Sequence, residues 1–361
     1  MQSSLTHAIA VDGGEYIPGE KVQSGIQRLI AEFMKEYLSR YTTPPLDYYY
    51  FSNTPQKPLS SKAVSIHNLP RKFFSSIQLP YHIFRNKDAV FLGFSGVIPK
   101  FLDFFPLKKI VFVHDFGFST YPDFYDNPRR MNAQVKSAVR RADLIITFTQ
   151  QVRRELLTQY RFLNPRKVHS IYAGVDHLSK TLSKRKLIKN EYFLYVGVVK
   201  PVKNILGLLE LFLKYTQKKN NSQVKLVIVG AKELDYWMYI TNTALYKRIK
   251  SRVVFLENIN DKDLTTLYVQ AKAVLNVSYA EGFCYPVLEA LSVGTPVITN
   301  NLPLYKEFQP YFHELHITDS EKERLELMQK FSIISAVRKK NIPDIFTWKS
   351  FTEKIYELIK N

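Results

Sequence analysis

Short apolar runs recur along the 361-residue chain at positions 8–11, 89–93, 109–114, 144–148, 168–171, 192–197, 225–230, 252–256, 273–277 and 296–299. They are continuous in apolar character rather than alternating, which predicts strands buried on both faces, as in a parallel sheet. Amphipathic stretches of helical period lie between them, which predicts βαβ units and an α/β fold. The polar, basic and weakly periodic stretch 178–190 reads as a linker dividing the chain into two similar halves. The expected domains are residues 1–177 and 191–342, followed by a helical end at 343–361 that carries Trp348, Phe351, Ile355, Leu358 and Ile359. In sheets of this kind the ligand crevice lies at the carboxyl ends of the strands.

Chemistry concentrates in residues 279–300, which follow one apolar run and contain the next. Glu281 precedes Gly282 and Phe283, where a glycine lets the backbone turn sharply and present bare amides. Amides at a helix start attract anions, and the helix dipole assists. Pro286 suits the first turn of the helix, and Gly294 with Pro296 suits its end. Glu289 follows Glu281 by about two helical turns, which predicts that both acids face one side. Carboxylates accept hydrogen bonds from vicinal hydroxyls such as those of a ribose. Two solvated glutamates on a capped amphipathic helix are the simpler reading of these residues taken alone.

Residues 195–204 form a second segment, with an apolar run ending at Gly197 and a helix expected to start near Ile205. Lys203 then sits at the helix start, within reach of a pyrophosphate. In the first half, Val111-Phe112-Val113-His114-Asp115 ends a strand in His-Asp, Gly13-Gly14 follows the first strand, and Ser24-Gly25-Ile26-Gln27-Arg28 opens a helix.

The segment 279–300 resembles the signature of retaining GT-B glycosyltransferases of family 4 (the group 1 glycosyltransferases), through Glu281, Gly282, Phe283, Pro286, Glu289, Ala290, Gly294, Pro296 and Val297. Residues 195–204, His114-Asp115, the Ser24-Gly25-Ile26 segment and the 171–176 turn are similar to further parts of that family, so the resemblance runs from about Val11 to Trp348. It implies two Rossmann-like domains whose parallel sheets face an interdomain cleft, with the last helix returning to the first domain. It implies a nucleotide diphosphate sugar donor, retention of anomeric configuration and no metal or other cofactor. Glu281, Lys203 and His114 are the implied catalytic residues. Glu289, Gly282, Phe283, Cys284, Gly25, Gly197, Gly230 and Lys200 are the implied donor-binding residues. Two positions depart from the pattern. Cys284 stands where the family has a second glycine and is expected to narrow the loop beside the donor sugar. Val202 stands where the family has an arginine, leaving Lys200 as a substitute point charge.

Composition adds compartment and partners. The single cysteine rules out an intramolecular disulfide framework and fits a reducing compartment. No secretory signal and no apolar run of bilayer-spanning length is read, so the expectation is a cytoplasmic protein, with the inner face of the cytoplasmic membrane as a candidate peripheral site. The net charge of +19 suits nucleic acid, an anionic lipid surface or an anionic substrate; nothing resembles a zinc-finger spacing, an RNA-recognition aromatic motif or a KH loop, so nucleic acid is not the expected partner. Arg129, Arg130, Lys136, Arg140 and Arg141 cluster on one predicted helix. Arg71, Lys72, Arg85, Lys87, Lys100, Lys108 and Lys109 flank phenylalanine pairs. That interleaving suits an anionic membrane surface or a solvated basic face. The expected function is transfer of a hexose or deoxyhexose (mannose, rhamnose or glucose type) to a saccharide acceptor on a lipid carrier, in surface polysaccharide synthesis. The alternative is an inactive protein of the same fold that binds nucleotide or nucleic acid.

Overall fold

The computed structural model describes residues 7–22, 24–52, 63–178, 181–184, 186–218, 223–331 and 342–361. The chain forms two compact units. The first comprises Met1–Phe116, Asn127–Gly174 and Asp344–Asn361; the second comprises Gly117–Asp126 and Val175–Pro343. Residues 117–126 therefore pack with the carboxyl-terminal unit, although the sequence reading set them in a domain 1–177.

The amino-terminal unit is built on seven parallel strands: β1 (Ile9–Gly14), β2 (Leu46–Phe51), β3 (Val64–Leu69), β4 (Val90–Gly93), β5 (Lys108–Val113), β6 (Leu144–Thr147) and β7 (Val168–Ser170). Their order is 3-2-1-4-5-6-7. Strand β4 is buried at every residue, and β1, β2 and β6 at all but one, as continuous apolar runs require. Strands β2 and β3 escaped the sequence reading. Strand β2 is Leu-Asp-Tyr-Tyr-Tyr-Phe; all three tyrosines are buried, and the hydroxyls of Tyr48 and Tyr49 find distant partners. Tyr48 donates to the Tyr16 carbonyl at 2.7 Å and Tyr49 to Asp88 Oδ2 at 2.8 Å. A buried tyrosine needs such a partner, so an aromatic-polar run became a central strand. The terminal helix Trp348–Lys360 belongs to this unit. It buries Trp348, Phe351, Ile355 and Ile359, and Tyr356 stacks on Tyr41 at 3.8 Å. Each buried side chain contributes about 2 kcal/mol.

The carboxyl-terminal unit repeats the plan with six parallel strands: β8 (Tyr192–Val196), β9 (Lys225–Val229), β10 (Val253–Leu256), β11 (Val274–Asn276), β12 (Val297–Thr299) and β13 (Leu315–Ile317). Their order is 10-9-8-11-12-13. Strand β13 has only three residues and also escaped the sequence reading. The helix Ile205–Thr216 covers this sheet with Leu208, Leu209, Leu211 and Phe212. Of the expected linker, residues 179, 180 and 185 lie outside the described residues. The described remainder has no helix or strand, and Ser183 N donates to Thr266 Oγ1 at 2.7 Å. No described helix is long and apolar enough to cross a membrane.

Candidate active site

In the carboxyl-terminal sheet the chain runs from β8 through β9 to β10 on one side, then crosses back to β11 on the other side of β8 and continues outward through β12 to β13. The loops after β8 and β11 therefore diverge at the topological switch point, where open α/β sheets place ligands. Here the two loops are laced together. Tyr279 N donates to the Val202 carbonyl at 2.9 Å, and Asn204 Nδ2 donates to the Val277 carbonyl at 3.1 Å. Asn204 adopts the left-handed conformation and caps the helix Ile205–Thr216, its side chain accepting from Gly207 N. Lys203 immediately precedes that cap. Its ammonium meets Glu281 Oε2 at 2.7 Å, so the two expected catalytic residues of this unit form one ion pair.

The pair is largely withdrawn from water, with side-chain exposures of 18% for Lys203 and 9% for Glu281. Burial alone would raise the Glu281 pKa, but the adjacent Lys203 ammonium outweighs it and holds the carboxyl below its usual range. Glu289 lies on the helix Tyr285–Ser292 with partners of its own. Tyr268 donates its hydroxyl to Oε2 at 2.7 Å, and His177 Nε2 lies 2.9 Å from Oε1. The sequence reading missed both of these residues. His177 directly follows the 171–176 turn that carries part of the resemblance, which was the available signal.

Cys284 occupies the left-handed region at φ 56°, where a glycine is at ease and a side chain is strained. Its thiol does not narrow an open loop. It is buried, with Asn276 Nδ2 at 3.2 Å and the Tyr305 hydroxyl at 3.7 Å from the sulfur, and burial pushes its pKa far up. The sequence placed this side chain beside the donor sugar; the structure places its thiol among the buried groups of Asn276 and Tyr305. Phe283 is likewise buried, its ring edge-on to Phe308 and Tyr285. Any donor contact from Phe283 falls to its main chain, as it does for the buried Gly282.

Gly197 and Gly230 end β8 and β9. A Cβ on Gly230 would lie 2.2 Å from the Gly197 carbonyl oxygen, and its φ is 146°. Close approach of the two strand ends therefore requires glycine at 230, whatever binds above them. Lys200 faces the Tyr125 ring at 5.6 Å. Next to it, Tyr121 and Phe124 pack on Tyr279 at 5.6 and 5.4 Å. The segment Gly117–Asp126 thus supports the loops after β8 and β11 with aromatic rings. Val202, one of the two departures from the resembled pattern, is buried and presents no charge.

His114 and Gly25 belong to the amino-terminal unit. His114 follows β5 and its Nε2 lies 2.7 Å from the Phe94 carbonyl, so Nε2 carries the proton and Nδ1 is the acceptor. Burial lowers its pKa, which keeps the imidazole neutral at physiological pH. Gly25 is the exposed first residue of the helix Gly25–Arg40, capped by Ser24, and Arg28 pairs with Glu32 at 3.5 Å. One residue at this unit's own switch point, between β1 and β4, went unread. Asp12 accepts from Gly14 N at 3.1 Å and from Ser95 Oγ at 3.2 Å. Burial raises its pKa to about 6 against those two hydrogen bonds. Among the described residues no three His, Cys, Asp or Glu side chains converge as a metal-binding group.

Residues 179–326 match the family model for glycosyl transferases group 1. That span holds Gly197, Lys200, Lys203, Gly230, Glu281, Cys284 and Glu289; His114, Gly25 and His177 lie before it. Over 200 residues the chain is 29% identical to the O-antigen chain mannosyltransferase RfbU of Salmonella typhimurium, covering 55% of this chain and 54% of that protein. It is 26% identical over 229 residues to the O-antigen chain mannosyltransferase B of Escherichia coli, covering 60% and 58%. The chain therefore spans little more than half the length of these curated relatives. WaaG, described as a glycosyltransferase involved in lipopolysaccharide biosynthesis, superposes with a TM-score of 0.68 at 15% identity, over 97% of this chain and 99% of its own. Likeness at that identity shows the fold, which is GT-B: two Rossmann-like α/β units with parallel sheets.

Proposed function

We propose that the chain is a retaining glycosyltransferase of family 4. It moves a hexose or deoxyhexose from a nucleotide diphosphate sugar to a saccharide acceptor carried on a lipid, in surface polysaccharide synthesis. The observation that carries this reading is the buried Lys203–Glu281 pair at the switch point of the carboxyl-terminal sheet. Mannose is the first candidate sugar, because both curated relatives above are named O-antigen mannosyltransferases.

In this reading the nucleotide ribose hydrogen-bonds Glu289, whose carboxylate is held in place by His177 and Tyr268. The diphosphate meets Lys203, whose ammonium stabilises the charge that develops on the leaving group, the main electrostatic contribution to the rate. Glu281 accepts hydroxyls of the donor sugar and supports positive charge near the anomeric carbon. His114, neutral and oriented by the Phe94 carbonyl, positions the sugar. A leaving phosphate oxygen takes the acceptor's proton, so no separate base is assigned.

Nucleotide release measured across UDP-, GDP- and dTDP-sugars, with and without saccharide acceptors, tests the reading. Acceptor-dependent release from one donor is expected, and Glu281→Ala should lower it at least about a hundredfold. Wild-type protein that binds nucleotide yet releases none with any donor would favour an inactive binding protein. An active enzyme unchanged by Glu281→Ala would remove Glu281 from the assignment.

A further inference from the structure

The amino-terminal unit exposes a group of large apolar side chains that its core does not use: Phe73, Ile77, Tyr81, Phe84, Phe101 and Phe104. They are among the most exposed hydrophobic residues described, with Phe104 at 77% and Phe84 at 62%. They come from three elements and the residue before the first: Phe73 caps the π-helical turn Phe74–Gln78, which is followed by the helix Leu79–Asn86 and, beyond β4, by the 3-10 helix Lys100–Phe104. These elements form one surface. The first continues directly into the second, and Phe84 stacks at 5.1 Å on Phe105, the residue after the third. Phe101 and Phe104 face each other at 6.3 Å. Phe73 is held at φ 58°, a conformation that costs a bulky residue about 1–2 kcal/mol, while its ring remains exposed. Contiguous exposed apolar surface of this kind marks an interaction site.

The charges around it choose the occupant. Residues 71–87 carry four cations and no acid. Several of the basic residues flagged by the sequence prove to be internal ties. Arg71 pairs with Glu15, Lys109 and Arg141 pair with Asp103, and Lys108 donates to the Leu358 carbonyl. Lys72, Arg85, Lys87 and Lys100 are exposed beside the apolar side chains, and Lys72 lies over the Phe73 ring. Asp103, the one acid among these residues, is neutralised by Lys109 and Arg141. Exposed apolar side chains beside exposed cations fit the interface of an anionic bilayer, where rings enter the acyl boundary and cations meet lipid phosphates. Ile77 cannot stack on a base, which disfavours single-stranded nucleic acid.

We propose that the surface formed by Phe73, Ile77, Tyr81, Phe84, Phe101 and Phe104, with Lys72, Arg85, Lys87 and Lys100, docks on anionic phospholipid bilayers. None of these residues belongs to the donor site, so this docking stands or falls separately from the proposed reaction. The test is co-sedimentation of the full chain with equimolar phosphatidylglycerol–phosphatidylethanolamine vesicles and with phosphatidylcholine vesicles. Binding is expected to the anionic vesicles alone, and to weaken as salt rises. The triple variant Phe73→Ser, Ile77→Ser, Phe104→Ser should bind more than about tenfold more weakly. Each of Lys72→Ser, Arg85→Ser, Lys87→Ser and Lys100→Ser should weaken binding about fivefold. All these side chains are exposed, so thermal melting should not change. Arg129→Ser with Arg130→Ser, on the helix Pro128–Arg141 outside the surface, is the control and should bind as the wild type does. Equal binding by the triple variant would overturn the proposal, as would loss confined to the Arg129–Arg130 variant. So would equal binding to neutral vesicles, binding of single-stranded DNA in place of vesicles, or a dimer that the triple variant abolishes while vesicles go unbound.

Discussion

Replacing Lys203 with methionine should destabilise the carboxyl-terminal unit in a way that depends on pH. The ammonium lies 2.7 Å from Glu281 Oε2, an attraction of about 6 kcal/mol at an effective dielectric of about 20. Desolvation of both ions offsets most of that, so the intact pair is a small net contributor. Removing one partner is different, because the carboxylate is then left buried and unpaired. Such a break costs about 3–5 kcal/mol when burial is complete. With Lys203 still 18% exposed, about 2–4 kcal/mol is the reasonable range. The sign with pH follows from the direction of the shift. In the wild type the folded-state pKa of Glu281 is depressed, so its stabilisation is present above the unfolded value and disappears as pH falls through the folded value. In the variant, burial acts alone and raises that pKa, so the carboxylate costs stability increasingly as pH rises. The gap between the two proteins should therefore be widest near pH 8, narrow as pH falls through the variant's raised value, and close only below the wild type's depressed one. The two tryptophans allow a clean reading, because Trp237 belongs to the carboxyl-terminal unit and Trp348 to the other. In a Trp348→Phe background, urea unfolding followed by Trp237 fluorescence should show a midpoint lower by about 1 M at pH 8. Lys203→Arg, which keeps a cation, should recover most of the loss. An equal gap at pH 8 and at pH 5 would mean that the lysine contributes only packing, and the charge argument would fail.

Three other outcomes are expected. Asp12→Asn should stabilise the amino-terminal unit at pH 8 by up to about 3 kcal/mol and have little effect below pH 4. A pKa raised to about 6 makes the ionised carboxylate a cost that grows as pH rises through that value; thermal melts followed by Trp348 fluorescence would show it. Cys284→Gly should unfold at higher urea than Cys284→Ala by about 1 kcal/mol, since both lose the buried thiol but only glycine is relieved at φ 56°; the reverse order would refute the strain. His177→Gln should weaken nucleotide binding, measured by calorimetry, about tenfold through loss of the group that orients Glu289, while the fold melts unchanged within about 1 kcal/mol.

What the sequence could disclose follows physical range. The strand Lys225–Val229 was legible because four of its residues are aliphatic and buried on both faces. The strand Leu46–Phe51 was not, because tyrosine becomes a core residue only when its hydroxyl finds a partner. Tyr48 finds Tyr16 at a separation of 32 residues and Tyr49 finds Asp88 at 39. The strand Leu315–Ile317 was missed because His316 interrupts its apolar run. In the site, Glu281, Glu289 and Lys203 were readable as members of local patterns. Their partners were not: His177 lies 112 residues from Glu289, and Tyr268 lies 21 away on another element. Cys284 was visible as a departure, but where its thiol points is decided by Asn276 and Tyr305, neither of which belongs to the pattern.

The order of the strands joins these separate facts. Strands β8 and β11 are far apart in sequence yet hydrogen-bonded neighbours, with Leu194 opposite Val274. Their carboxyl ends must therefore open side by side, and a lysine after one falls within reach of a glutamate after the other. The lacing bonds from Tyr279 and Asn204 hold that register to within a hydrogen bond's tolerance. A lone buried ammonium or carboxylate would be unstable at either position. Each is tolerable because the other is there, so the ligand-free unit can keep both charges buried where a diphosphate and a sugar are proposed to bind. An anionic ligand at Lys203 would then displace or share an existing partner rather than fill an empty positive site. On that account donor binding should strengthen when Glu281 is neutralised by Glu281→Gln, even as transfer is lost. Tighter nucleotide diphosphate binding with lower turnover in one variant is the signature that separates this pair from a purely structural salt bridge, for which both quantities would stay as they are.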